Sequence, residues 1–168
     1  MLTAHELIGF MSPALGGEIL SAAFELDKPL YRASLNAVSE ARKVRPIFME
    51  RQPRAQRHEA MLSVLSRPVM DAVSANLIRN WLVKKHTAML VQFLNALDIP
   101  HKEGVVDDLP KSVDDAKLSA AVEGLLAKYP QETVAVYLIA FHDLNEANWP
   151  NLKAMLDKDA RLQLGNHA

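Results

Sequence analysis

Apolar residues recur at intervals of three and four along almost the whole chain, and this spacing constrains the fold more than any other feature. One stripe contains Leu15 and Ile19, another contains Val73, Leu77 and Trp81, and the remaining stretches show the same period. Such spacing places apolar side chains on one face of an α-helix. No segment alternates apolar and polar residues, and the sequence has no Asn-Gly or Asp-Gly hairpin turn. The pattern predicts an all-α fold, a bundle of about seven to nine helices.

Proline and small polar residues indicate where several of these helices begin. Ser12-Pro13 and Trp149-Pro150 both precede helical spacing, at positions where the missing N–H of proline does no harm. Thr3 followed by Glu6 has the reciprocal capping pattern, in which the two side chains satisfy backbone N–H groups. We therefore expect helix starts near residues 4, 13 and 150.

Two consecutive glycines, Gly16 and Gly17, stand inside an otherwise good helical pattern. Each glycine costs about 1 kcal/mol relative to alanine in a helix interior. Either the helix begins later, at Glu18, or a neighbouring backbone approaches closely. The pair is not part of a phosphate-binding fingerprint, because no strand precedes it and the remaining glycines are missing.

The segment 133–141 is apolar on every side, unlike the other helical stretches. A helix that is apolar all round is buried all round, so we expect a central helix over residues 131–144. A buried strand is the competing interpretation of such a short run. The helical surroundings and the opening Pro130-Gln131-Glu132 favour the helix.

The apolar stripes before and after residues 84–87 do not join, which predicts a break or kink there. A shift of 44 residues aligns Phe93-Leu94 with Tyr137-Leu138 and places Pro130 opposite His86. This offset is typical of helical-repeat arrays and predicts a helical-hairpin repeat in the C-terminal half. Chance similarity is the alternative, since few aligned residues are identical.

Length and composition indicate a single all-α domain, residues 1–168. Residues 1–86 hold 12 Lys+Arg and 8 Asp+Glu, whereas residues 87–168 hold 7 and 12. This asymmetry allows a subdivision into a basic N-terminal half, 1–67, and an acidic C-terminal half, 68–168. The chain has no cysteine, its first residues do not resemble a signal peptide, and its longest apolar run is too short to span a membrane. We expect a cytoplasmic protein without a membrane association.

Much of the positive charge lies in one stretch, which we call the Arg-rich connector, Arg45 to Arg57. Its arginines stand beside an apolar triplet, Ile47-Phe48-Met49, that we expect to be exposed. Arginine with exposed apolar residues is the composition that carries interface energy. We predict a partner-binding surface formed by Arg45, Ile47, Phe48, Arg51, Arg54 and Arg57.

Two other interpretations of this connector stay open. If Pro53 opens a helix, Arg54 and Arg57 share a face near its start, which favours anions. The connector also fits a solvated segment that pairs with the acidic half of the same molecule. Nucleic-acid binding is disfavoured, because the chain has a net charge of -1 and few aromatic residues.

The sequence offers weaker candidates for a chemical site. The longest irregular stretch, 98–112, contains His101, and His142-Asp143 follows the apolar helix. If His101, His142 and Asp143 converge, they form the metal site of a helical hydrolase or a ligand site. Trp81, Lys85 and His86 lie at the expected break and are candidates for a pocket between helices.

These observations predict a non-catalytic protein–protein interaction module without a cofactor. Its expected partner is a protein with an acidic surface or a second copy of the chain, since a two-fold axis would place each basic connector on the acidic half of its mate. A metal-dependent hydrolase or a small-ligand-binding domain that uses His101, His142 and Asp143 is the alternative.

Overall fold

The computed structural model describes residues 1–165; residues 166–168 of the predicted domain lie outside that range. Ten α-helices make up most of this part, which contains no β-strand. The prediction of an all-α fold is confirmed. The helix count exceeds seven to nine. α1 (Ala4–Phe10) begins where it was expected, whereas α4 (Pro46–Glu50) is too short to show a full apolar repeat.

Contacts divide the chain into two compact units, an N-terminal unit, Leu2–Trp81, and a C-terminal unit that begins at Leu82. The N-terminal unit also contains α2 (Pro13–Leu26), α3 (Lys28–Ala41), α5 (Arg54–Leu65) and α6 (Asp71–Asn80). The C-terminal unit contains α7 (Thr87–Ala96), α8 (Asp115–Lys128), α9 (Gln131–Ile139) and α10 (Pro150–Lys158). The charge-based boundary between residues 67 and 68 falls inside the N-terminal unit, between α5 and α6.

The N-terminal unit is built around α2, which packs against α3, α5 and α6. Its core contains Leu7, Ile19, Leu35 and Met61, all fully buried. The start of α2 follows the sequence prediction: Pro13 is its first residue, and the Ser12 hydroxyl accepts the backbone N–H of Leu15 at 3.2 Å.

Helix α1 begins at Ala4 as expected, but the predicted side-chain cap by Thr3 is not formed. Thr3 precedes the helix but makes no side-chain cap; its hydroxyl lies 3.1 Å from Nδ1 of His5. The carboxylate of Asp71, at the start of α6, accepts the backbone N–H of His5 at 3.0 Å. A distant residue thus does what the local pattern assigned to Thr3, because α1 and α6 pack together.

The two glycines lie inside α2, so the expectation that the helix begins at Glu18 is wrong. A Cβ on Gly16 would stand 2.8 Å from the end of the Leu62 side chain on α5. The close neighbour of Gly16 is therefore a side chain and not a backbone. Gly17 has nothing within 4 Å of its Cβ position, so packing does not require a glycine there.

The predicted break is confirmed. The helical path continues from α6 as a π-helical turn, Trp81–Lys85, and α7 begins at Thr87 after His86. The helix starts also agree with the 44-residue offset, because α6 and α8 begin at Asp71 and Asp115, and α7 and α9 at Thr87 and Gln131. A true repeat stays a prediction.

The helix α9 is the centre of the C-terminal unit, as its composition predicts. Every residue from Thr133 to Phe141 is buried, and the helix continues into a π-helical turn, Ala140–Leu144. The ring of Phe93 on α7 meets Tyr137 and Phe141 edge-on, with centroids 5.5 and 5.4 Å away. The segment 131–144 therefore forms the predicted central helix, with a change of pitch in its last turn.

Candidate functional site

The Arg-rich connector folds into α4 and the first turn of α5. Arg45 precedes α4, where Pro46 occupies the first turn, and Pro53 precedes α5. This confirms that Pro53 opens a helix and that Arg54 and Arg57 share the face near its start. The two halves of the connector then differ in what their arginines contact.

Arg57 is half-buried and links three helices of the N-terminal unit. Its Nε donates to the hydroxyl of Tyr31 at 2.8 Å, and its Nη1 donates to the carbonyl oxygen of Glu50 at 3.2 Å. The guanidinium carbon also lies 5.8 Å from the centre of the Tyr31 ring. Arg57 therefore connects α3, α4 and α5, and its donors are directed inward.

Arg54 lies against an aromatic ring while its charge remains at the surface. Its guanidinium carbon is 4.3 Å from the centre of the Phe24 ring, within the range of a cation–π contact. Its Nη2 lies 3.4 Å from a carboxylate oxygen of Glu25, a loose ion pair between two exposed side chains. Among the described residues, Glu25 is the polar partner of the Arg54 guanidinium, and it engages Nη2 at 3.4 Å.

His58 is a buried histidine one turn further along α5, with 5 % of its surface exposed. Its Nε2 lies 3.0 Å from the Tyr31 hydroxyl. The same hydroxyl accepts the Nε–H of Arg57, so Tyr31 links Arg57 and His58. Burial, followed by the charges of Arg57 and Arg54, lowers the pKa of His58 to about 4. His58 is therefore neutral at neutral pH.

The α4 part of the connector exposes two apolar side chains. Ile47 is 46 % exposed and Phe48 is 58 % exposed, as the sequence predicts. Met49 is the exception in the triplet: it is 1 % exposed, and its sulfur accepts the Ser39 hydroxyl at 3.2 Å. Consecutive residues of a helix are rotated by about 100° about its axis, so Met49 faces the interior while Phe48 faces the solvent.

Four exposed cations flank these two apolar residues and the exposed Val44 in the sequence. We call this surface the cationic corner: Arg42, Lys43, Val44, Arg45, Ile47, Phe48 and Arg51. Within residues 1–165, none of the four cationic side chains makes a hydrogen bond or ion pair. The one acidic residue of the stretch, Glu50, is already paired with Arg32.

The N-terminal unit also contains a groove of about 850 Å³ between α1, α2 and α5. Gly16 and Leu62 lie in its wall, and Arg54, His58 and Glu59 line one end. The sequence analysis did not identify this groove. The available signal was the Gly16-Gly17 pair, which removes two side chains from one face of α2.

The structure does not bring together the residues of the alternative metal site, His101, His142 and Asp143. Of the residues the structure describes, no group of three or more His, Asp and Glu side chains could hold a metal ion. His101 bonds within its own loop: Nε2 contacts Asn95 at 2.8 Å, and Nδ1 accepts the N–H of Gly104 at 3.1 Å. His142 is buried, and its Nδ1 lies 2.7 Å from the carboxylate of Asp143. The two histidines are thus held by different local partners.

The predicted pocket at Trp81, Lys85 and His86 stays a prediction. Trp81 is fully buried in the N-terminal unit, Lys85 is exposed and His86 is half-buried. None of these residues lines the groove described above.

Comparisons with known proteins add no function. No protein-family model, curated protein or solved structure matches the chain. Within residues 1–165, no helix is both long enough and apolar enough to cross a membrane.

Proposed function

We propose that the protein is a non-catalytic interaction module that binds a protein partner through the cationic corner. The partner surface carries carboxylates around an apolar depression that accepts Phe48 and Ile47. The predicted partner-binding set divides in this proposal: Arg45, Ile47, Phe48 and Arg51 contact the partner, whereas Arg54 and Arg57 hold the connector in place.

The observation that supports the proposal most directly is the position of Phe48 among cations that have no partner of their own. Phe48 is 58 % exposed, so its removal from water by a partner makes the free energy of binding more favourable. The four flanking cations attract an acidic surface and favour its correct orientation. An aromatic anchor with arginines at its rim has the composition of an interface hot spot.

The test is an affinity pull-down from the host, with each retained protein then purified and titrated by calorimetry. The corner variants are Phe48→Ser and the double variant Arg45→Glu/Arg51→Glu. The matched controls are Val69→Ser and Arg67→Glu, which change an exposed apolar residue and an exposed arginine elsewhere in the same unit. Both corner variants leave the contacts of Arg54 and Arg57 intact.

We expect Phe48→Ser to weaken the binding of a partner by more than tenfold, as the loss of a hot-spot aromatic residue does. The charge reversal should abolish it, and the controls should bind as the wild type does. A partner that every variant retains equally, or the absence of any partner, would contradict the proposal.

A second copy of the chain is the other partner that the charge asymmetry favours. Sedimentation of the purified protein at low and high salt distinguishes this case. A dimer that dissociates as salt rises, and that Arg45→Glu/Arg51→Glu prevents, would identify the partner as the chain itself.

A further inference from the structure

The groove of the N-terminal unit has the size and shape of a small-molecule site. Its volume of about 850 Å³ lies within the range of ligand pockets. Its lining extends along α5 from Arg54 to Ser66, roughly 18 Å at 1.5 Å per residue. A ligand that fills the groove is therefore elongated, and it lies parallel to the line of contact between α2 and α5.

Gly17 keeps the middle of this groove open. The residue is in the interior of α2, where glycine costs about 1 kcal/mol relative to alanine. Apart from its own helical turn, no heavy atom lies within 4 Å of its Cβ position, and Gly17 lines the groove. A side chain at this position would enter the groove without meeting the protein, so the glycine serves the cavity and not the packing.

The charged residues of the groove lie at one end, and the other end has apolar side chains and uncharged serines. Ile8 and Met11 line that uncharged end together with Ser12, Ser63 and Ser66, and Leu62 follows toward the middle. At the second end lie Arg54, the first residue of α5, and His58. The ligand that matches this distribution has an apolar body and one polar end.

The polar end presents several donors to an anion. No side chain caps the start of α5, a helix of 12 residues, so its first N–H groups lack a side-chain acceptor. Arg54 adds a positive charge with a planar fork of donors. His58 is almost completely buried, and its Nδ1 makes no hydrogen bond with the described residues.

Two acidic side chains lie near this end and restrict where an anion binds. The ion pair between Arg54 and Glu25 is long, at 3.4 Å, and exposed, so it is weak. An anion that binds the Arg54 guanidinium therefore displaces only a weak ion pair. Glu59 lines the groove beside His58 and is exposed. Besides burial, the charges of Arg57 and Arg54 lower the pKa of His58, so both arginines lie close enough to act on this ring.

We propose that the groove binds a long-chain carboxylate, with its carboxylate at Arg54 and His58 and its alkyl chain over Gly17 and Leu62 toward Ile8. Arg54 and the start of α5 stabilise the charge, and His58, in the tautomer that carries its proton on Nδ1, donates one hydrogen bond. The alkyl chain covers the apolar wall that α1, α2 and α5 leave in contact with water.

The test is a titration of the purified full chain with dodecanoate below its micelle concentration, followed by calorimetry and by amide NMR shifts. Dodecanol provides the chain without the charge, and acetate provides the charge without the chain. Gly17→Leu fills the groove, and Arg54→Gln removes the charge but keeps a polar side chain. Arg51→Gln is the matched control, because Arg51 belongs to the same connector but does not line the groove.

We expect wild type and Arg51→Gln to bind dodecanoate equally, with shifts confined to residues 8–21 and 54–66. Arg54→Gln should bind about tenfold more weakly, the value of one charged hydrogen bond. Gly17→Leu should bind no dodecanoate, with circular dichroism and thermal melting to show that it folds.

Several results would overturn the proposal: no binding by the wild type, equal binding by Gly17→Leu, or shifts spread over both units. Equal affinity for dodecanol and dodecanoate would overturn the assignment of the charged end. If Gly17→Leu fails to fold, the shift map of the wild type alone decides the location.

Discussion

The two halves of the Arg-rich connector have similar composition and different roles. Around α4, Arg45 and Arg51 are exposed, and their side chains have no partner within the described residues. At the start of α5, Arg57 bonds Tyr31 and Glu50, and Arg54 covers the ring of Phe24. The same residue type thus serves as a surface charge in one half and as a structural link in the other.

The difference arises from what the neighbouring helices place opposite each arginine. Helices α2 and α3 bring Phe24 and Tyr31 together, with their ring centres 5.1 Å apart and nearly perpendicular. An aromatic pair with a hydroxyl offers both a face for a guanidinium and an acceptor for its N–H groups. The residues around α4 meet no such group. Composition therefore identifies a basic segment, while tertiary contacts decide which of its charges remain available.

The largest expected effect comes from Arg57→Ala. The substitution removes two hydrogen bonds from a charged donor and leaves the Tyr31 hydroxyl and the Glu50 carbonyl without that donor. We expect a loss of about 3 kcal/mol in the free energy of unfolding, measured by urea denaturation. Arg51→Ala is the control and should change stability by less than about 0.5 kcal/mol. Equal losses for the two variants would remove the distinction between the halves.

A smaller effect concerns His58, which belongs to the structural half. Its folded pKa of about 4 lies below the usual value of 6.5, so between these values the unfolded chain binds a proton that the folded chain does not. Stability is therefore fully present above pH 6.5 and decreases as the pH falls toward 4, by the order of 2 kcal/mol. Denaturation curves across this interval measure the slope.

The control for this slope is His58→Gln, which keeps a polar side chain and does not titrate. The pH dependence of the variant should be flatter between pH 6.5 and 4, while the loss of stability at lower pH remains. That remaining loss includes Asp71, because hydrogen bonds from His5 hold the pKa of its carboxyl below the usual range. Parallel curves for wild type and variant would show that His58 is not the group that titrates.

Much of the fold could be predicted from the sequence, because helices depend on local spacing. The all-apolar segment 133–141 predicted a buried central helix, and the mismatch of stripes at 84–87 predicted the break that the π-helical turn produces. Prolines indicated the starts of α2 and α10 correctly. Each of these features is decided by residues within a few positions of one another.

The contacts that distinguish the candidate sites were not predictable in the same way. The cap of α1 comes from Asp71, the partner of Arg57 is Tyr31, and the groove is lined by Gly17 of α2 together with residues of α5. All three join segments that are far apart in the chain. His101 and His142 are suitable metal ligands by residue type, but each one contacts a different residue close to it in the sequence. The residue types alone could not predict these separate partners.

The smallest expected effect concerns Arg54, whose contact with Phe24 is at the surface. Arg54→Ala should cost about 0.5 to 1 kcal/mol, the value of an exposed cation–π contact, because the ion pair with Glu25 is long and screened. A double-mutant cycle with Phe24→Leu isolates this term, and the same cycle with Arg51→Ala should give a coupling energy of zero. Coupling between Phe24 and Arg51 would place both halves of the connector in one structural network, and the cationic corner would then no longer be a surface whose charges are free for a partner.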